Sequence, residues 1–110
     1  MVRQGDIIKV SFDPQKGHEH KGFRPAVVIS NDEFIRRTGL AVVCPVTNTD
    51  NKFPLHVPLD ERTDTTGVIL CEHIRTLDLI SRKAKTVERL PDDILRHVID
   101  IVMAEVEVIG

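Results

Sequence analysis

Tryptophan and tyrosine are missing from this chain of 110 residues, and only four phenylalanines are present. So few aromatics argue against a platform that stacks successive bases. They argue equally against a binding module that shows a row of aromatics to proline-rich ligands. Cysteine is scarce too. Cys44 and Cys71 each sit in an apolar segment, and neither belongs to a CxxC pattern. Both read as small buried hydrophobes rather than as a disulfide or a metal pair. No apolar run approaches the roughly 20 residues that span a bilayer, and Met1-Val2-Arg3-Gln4-Gly5-Asp6 has no apolar signal region. No membrane association is expected, and a cytoplasmic location follows as the default.

An excess of positive charge is also lacking. The formal net charge is -2, which excludes a generic polyanion binder. The distribution is uneven, however. Residues 1–37 carry seven Lys/Arg against five acids, whereas residues 88–110 carry two against six. A phosphate-binding surface would therefore draw on the N-terminal third. Finally, there is no phosphate-cradling Walker motif, Rossmann fingerprint, serine nucleophile elbow or HExxH pair.

What remains is a pattern of short strands. Gly5-Asp6 reads as a turn into a strand over 7–12, where Ile8, Val10 and Phe12 define one apolar face. Residues 13–23, with Pro14, Gly17 and Gly22, read as a long polar loop, and loops of that length are commonly functional. Arg24-Pro25 opens a second strand over 26–30. Asn31 caps a short helix over 32–38 that stops at Gly39. A third strand covers 40–46 and runs into the polar stretch 47–52. A short strand over 54–59, with proline at both ends, belongs at an edge. Residues 60–66 read as a loop, 67–79 as one long or bent strand, and 84–88 as a last short strand. Pro91 suits the first position of a C-terminal helix, and Asp92 and Asp93 favour its positive end. Ile94, Leu95, Val98, Ile99, Val102 and Val106 form one stripe along it. The fold class is mainly β with α: a small, partly closed antiparallel barrel of SH3-like kind, with a short helix after the second strand and a C-terminal helix. No βαβ alternation points to a parallel sheet.

Chemistry needs a group that holds phosphate and groups that move protons. Arg24, at a strand entrance after the polar loop, can grip a phosphate bidentately or sit in a surface ion pair. His18-Glu19-His20 admits three readings: a two-histidine metal grip without an evident third ligand, proton shuttles near neutral pH, or solvated loop residues. Thr47-Asn48-Thr49 ends an apolar strand, where hydroxyls donate to phosphate or simply form a turn.

The order of these pieces is informative. Gly5-Asp6-Ile7-Ile8 precedes Phe12-Asp13-Pro14 and Lys16-Gly17-His18-Glu19. Then come Gly22-Phe23-Arg24-Pro25-Ala26-Val27-Val28-Ile29-Ser30, Val43-Cys44-Pro45-Val46-Thr47, and Gly67-Val68-Ile69-Leu70-Cys71-Glu72-His73-Ile74-Arg75-Thr76-Leu77-Asp78. Over nearly the whole chain this resembles MazF/PemK-type toxins of type II toxin–antitoxin systems. The resemblance implies one domain over 1–110, an SH3-like barrel and a homodimer. It implies a sequence-specific endoribonuclease for single-stranded mRNA that uses neither metal nor organic cofactor. The RNA 2′-hydroxyl attacks the adjacent phosphate, leaving 2′,3′-cyclic phosphate and 5′-hydroxyl ends. The family's catalytic Arg falls on Arg24, its catalytic Thr on Thr47 and its loop Glu on Glu19. Asp13, Lys16, His18, His20, Phe23 and Asn48 are then expected to bind substrate. Specificity is expected from the loops 13–23, 48–53 and 60–66, with Phe23 or Phe53 as stacking surfaces or core residues. The implied partner is a cognate MazE-like antitoxin with a disordered acidic tail, in a heterohexamer, with operator DNA bound only through that complex. Many relatives have Gly-Ser-Glu-Gln where this chain has Gly17-His18-Glu19-His20, so the general acid or base is open among Glu19, His18, His20 and Arg24. The alternative is a CcdB-like toxin of the same fold that acts by binding DNA gyrase, which would not need Arg24, Thr47 and Glu19 together.

Overall fold

A computed structural model describes residues 1–12, 23–50 and 52–110. Seven strands and two helices follow in the order β1 (Asp6–Ser11), β2 (Phe23–Val28), α1 (Asp32–Thr38), β3 (Leu40–Thr47), β4 (His56–Pro58), β5 (Val68–Leu70), β6 (Arg75–Asp78), β7 (Lys85–Arg89) and α2 (Asp92–Val106). The strands form one antiparallel, barrel-like sheet in the order β4-β5-β3-β2-β1-β7, with β6 also on β3. β4 ends the order, in keeping with Pro58 as its last residue and Pro54 shortly before it. Among the described residues, no helix is long and apolar enough to cross a membrane.

Strand alternation builds two cores, one on each face of the sheet. Ile7, Val27, Cys44, Val46 and Ile69 pack with Ile94, Leu95 and Val98 of α2. Ile8, Val10, Ala26, Val28, Ala41, Val43 and Leu77 pack with Ile35 of α1. Period-2 alternation sends neighbours to opposite sides, and here each side has a helix to cover it. The expectation of one apolar face on the first strand is thereby corrected. Ile7 and Ser11 are buried along with Ile8 and Val10, and only Lys9 is exposed.

Local chemistry sets the helix ends. The Asn31 side chain accepts the Phe34 N–H at 2.8 Å, and Gly39, at φ 72°, donates its N–H to Ile35 at 2.8 Å. That left-handed stop suits a residue without Cβ. α2 begins one residue later than expected. Pro91 has ψ 140°, which is extended, so it stands outside the first turn as the cap. The apolar stripe is buried at Ile94, Leu95 and Val98, but Val106 at its end is exposed.

The run 67–79 is two strands rather than one. Val46 faces Ile69 and Val43 faces Arg75, so residues 70–74 stand opposite only Cys44 and Pro45. The chain turns there, with the His73 N–H bonded to the Leu70 carbonyl at 3.1 Å. Pro45 lacks an N–H to hold a partner at that level. The result is a wide bulge facing the end of β3, the kind of irregularity that re-aims side chains.

Candidate active site

The register places Arg24 and Thr47 together. Ala26 pairs with Pro45, so in an antiparallel ladder Arg24 and Thr47 lie two residues further along and on the same face. That face is the one that buries Ile8, Val10, Ala26 and Val43 in the second core. Val10 pairs with Arg24 and Val43 with Arg75, so the alternation that makes this core also delivers Phe12, Arg24, Thr47 and Arg75 to its open end.

These residues line a cavity of about 330 Å³, together with Pro45, Val46, Leu70 and His73. Among the described residues, no carboxylate lines it. Arg75 lies over the Phe12 ring, 4.8 Å from its centroid, a cation–π contact that steadies the guanidinium without neutralising it. Neither Arg24 nor Arg75 has a carboxylate partner among the described residues. Thr47 Oγ1 accepts the Thr49 N–H at 3.2 Å, which leaves the hydroxyl hydrogen to donate into the cavity. Two forked cations and a hydroxyl donor around one small space suit an oxyanion with several oxygens, such as a phosphodiester.

The close approach that seats Thr47 depends on Gly67, where φ is +116°. A Cβ there would lie 2.3 Å from the Thr47 carbonyl oxygen. On the other side, a carboxylate network surrounds the bulge. His56 Nδ1 meets Asp50 at 3.0 Å and its Nε2 meets Glu72 at 2.8 Å. The hydrogen bond to Asp50, and then that to Glu72, raises the His56 pKa above its ordinary value against the opposing effect of burial. The bond from His56 holds the Asp50 carboxyl below its ordinary range. His73 Nε2 lies 3.6 Å from the same Glu72 oxygen, while Glu72 Oε1 is buried without a partner among the described residues.

Of the residues expected from sequence, Arg24 and Thr47 meet in the cavity. Asp13, Lys16, His18, Glu19 and His20 lie outside the described residues. Phe23 is half-buried, and Asn48 bonds the Thr66 hydroxyl at 3.0 Å; neither lines the cavity. Phe53 is exposed and packs edge-on against His56, with ring centroids 5.6 Å apart, so it is not a core residue. Residues 60–66 do not line the cavity either. Glu88 accepts from the Asp64 and Thr65 N–H groups and from the Thr65 hydroxyl, while Arg62 bridges Asp60 and Asp93, so that loop is tied to β7 and α2. Phe12, His73 and Arg75 were not among the expected site residues. The face parity of Arg75 with Val43 is the signal that finds it.

Two other features are set aside by their chemistry. Burial pushes the Cys44 and Cys71 thiols up to about 12, so neither supplies a thiolate near neutral pH. A cavity of about 490 Å³ beside α1 has its charges already paired, Arg3 with Asp32 and Arg36 with Glu33.

Comparison with known proteins gives a consistent picture. The family described as PemK-like, MazF-like toxin of type II toxin-antitoxin system matches residues 3–105. The chain is 39% identical to endoribonuclease PemK of Escherichia coli, over 89% of this chain and 77% of the relative. It is 36% identical to endoribonuclease toxin ChpB of Escherichia coli K12, over 94% and 93%. Among solved structures, a chain of MazE-MazF from Deinococcus radiodurans superposes with a TM-score of 0.85 at 34% identity, covering 94% of both chains.

Proposed function

The chain belongs to the PemK-like, MazF-like toxins of type II toxin–antitoxin systems, and on that premise we propose that it is an endoribonuclease that cuts single-stranded RNA by making the RNA attack itself. The observation that carries this reading is the cavity in which Arg24, Thr47 and Arg75 converge, with no carboxylate lining it among the described residues. The nucleophile is the substrate's own 2′-hydroxyl, which accounts for a site without an activated serine or cysteine. As the 2′-oxygen bonds to phosphorus, negative charge grows on the non-bridging oxygens. Arg24 grips them, and the Thr47 hydroxyl donates to one of them. Fixed donors aimed at developing charge are worth on the order of 10²–10³ in rate each. The P–O5′ bond then breaks, leaving a 2′,3′-cyclic phosphate and a 5′-hydroxyl. DNA lacks the attacking group and is not cut.

Glu19 belongs to the catalytic set of this reading, and Asp13, Lys16, His18 and His20 of the same loop belong to its substrate-binding set. The partner is a MazE-like antitoxin with an acidic tail, a chemistry that complements two uncompensated guanidiniums. The toxin acts as a homodimer, and its antitoxin complex is the form that reaches operator DNA. A gyrase-binding role calls for no such cavity and stands against the match to endoribonuclease relatives. The test is incubation of the pure protein with defined single-stranded RNA in EDTA, followed by end-group analysis. Cyclic phosphate and 5′-hydroxyl ends are the expected products. Intact RNA across all short sequences, or 5′-phosphate ends, refutes the reading.

A further inference from the structure

We infer that His73 is the proton-transfer residue of this site, with Glu72 as the carboxylate that positions it; the inference rests on the cleavage reading above. Three observations carry it. First, His73 lines the same cavity as Arg24, Thr47 and Arg75, and its side chain is exposed there rather than packed in the core. Second, its Nε2 lies 3.6 Å from Glu72 Oε2, within ion-pair reach though beyond a hydrogen bond, so a carboxylate stands beside the ring. A base with a third group placed to orient it is the general arrangement for activating a hydroxyl. Third, Glu72 is itself fixed, because the same oxygen meets His56 Nε2 at 2.8 Å and its other oxygen is buried.

The charged groups near His73 come from several elements. Arg24 on β2 and Arg75 on β6 line the same cavity, and Glu72 lies beside it on the bulge. His56 on β4 lies behind Glu72 and is linked in turn to Asp50. In the step itself His73 Nδ1 takes the proton of the 2′-hydroxyl. The 2′-oxygen forms its bond to phosphorus, and the P–O5′ bond breaks. The imidazolium returns its proton through solvent to the departing 5′-oxygen, so no proton is consumed overall. Histidine titrates near neutral pH and suits this exchange, whereas arginine holds its proton throughout.

The experiment measures single-turnover cleavage of a defined single-stranded RNA against pH for wild type, H73Q and H73A. Binding of the same oligonucleotide with a 2′-deoxy residue at the cleavage position is measured in parallel. H73Q is expected to lose on the order of 10²–10⁴ in rate together with the acid limb of the profile, while binding stays within about threefold. Added imidazole restores H73A but not R24A, which a structural role for His73 would not produce. Wild-type cleavage with an unaltered rate and profile in H73Q overturns the assignment of His73 alone. Wild-type protein that cuts no RNA overturns the cleavage reading and the role of His73 with it.

Discussion

Replacing Gly67 by alanine tests how closely the site is built. Gly67 has φ +116°, a region that side-chain-bearing residues rarely enter. Holding a non-glycine residue there costs about 1–3 kcal/mol. The new Cβ would also lie 2.3 Å from the Thr47 carbonyl oxygen and 2.8 Å from its carbonyl carbon. Both are backbone atoms in a strand bonded on two sides, so no side-chain rotation relieves the clash. Overpacking of this kind adds about 1–3 kcal/mol. The sum, about 2–6 kcal/mol, is a large part of the 5–15 kcal/mol that holds an ordinary domain. With a urea slope of roughly 1.5 kcal/mol per molar for a chain of this size, the midpoint falls by about 1–4 M. RNA cleavage at low urea falls too, because the strand shift that relieves the clash carries the Thr47 hydroxyl out of line. Gly39→Ala is the control. Gly39 also has a positive φ, of 72°, but nothing lies within 4 Å of its added Cβ, so only about 1–2 kcal/mol of backbone strain is expected. Equal midpoints for the two variants, or a Gly67→Ala midpoint within about 0.3 M of the parent, would refute the reasoning.

Arg24→Ala and Thr47→Val are expected to lower cleavage on the order of 10²–10³ each with the urea midpoint unchanged, as measured by single-turnover assay and denaturation. Arg24→Ala and Arg75→Ala should each flatten the dependence of log binding constant on log salt by about 0.7 for a 2′-deoxy oligonucleotide, the share of one phosphate contact on a single strand; unchanged slopes in both remove the phosphate clamp. His56→Gln should change stability with pH in a defined sense. The His56 pKa is raised by Asp50 and Glu72, so its stabilising effect is complete below its ordinary value near 6.5 and fades as pH rises through the elevated one. The Asp50 pKa is lowered by His56, so that effect is present above 3.8 and fades as pH falls below it. Wild type should therefore be most favoured over His56→Gln between these limits, and parallel curves of Tm against pH would refute this. Asp6→Ala removes the acceptor of Arg3 N–H, the Thr86 hydroxyl and Arg89, and should cost about 1–3 kcal/mol in urea denaturation.

Alternation and capping carry most of the fold in the sequence. Asn31 and Gly39 bound the first helix where they stand, and the apolar pairs of the strand at 26–28 read directly as a sheet element. Two-sided burial was less visible. Ile7 beside Ile8 signals it, but which face a helix covers depends on α2, more than 80 residues away in sequence. The bulge at 70–74 was hidden for a different reason. Leu70, Cys71 and Ile74 continue an apolar run, and nothing local reveals that two residues of β3 must face five. Only Pro45, on the opposite strand, marks the level at which pairing fails. The site follows the same division. Arg24 and Thr47 come from the family motif and are joined by register, whereas His73 enters through the bulge and was therefore missed. The tie of residues 60–66 to Asp93 spans 31 positions, so nothing local in the sequence shows that Arg62 reaches α2.

Charge completes the account of why a chain of net charge -2 can handle a polyanion. Six of its nine arginines are spent on carboxylates: Arg3 on Asp32, Arg36 and Arg37 on Glu33, Arg62 on Asp60 and Asp93, Arg89 on Asp6 and Arg96 on Asp92. Arg82 donates to the Ser11 carbonyl. Arg24 and Arg75 alone have neither kind of partner among the described residues, and both line the cavity. A neutralised arginine contributes little to attraction beyond a Debye length, about 8 Å at physiological salt. Among the arginines, the charge left for an approaching phosphate is therefore concentrated on those two side chains. Pairing of the other arginines weakens their pull on nucleic acid, and the pairing withheld at the cavity directs binding there. The same logic explains Phe12. A carboxylate would have fixed Arg75 as well, but it would have cancelled the charge that the site uses, whereas an aromatic ring holds the guanidinium and leaves it cationic.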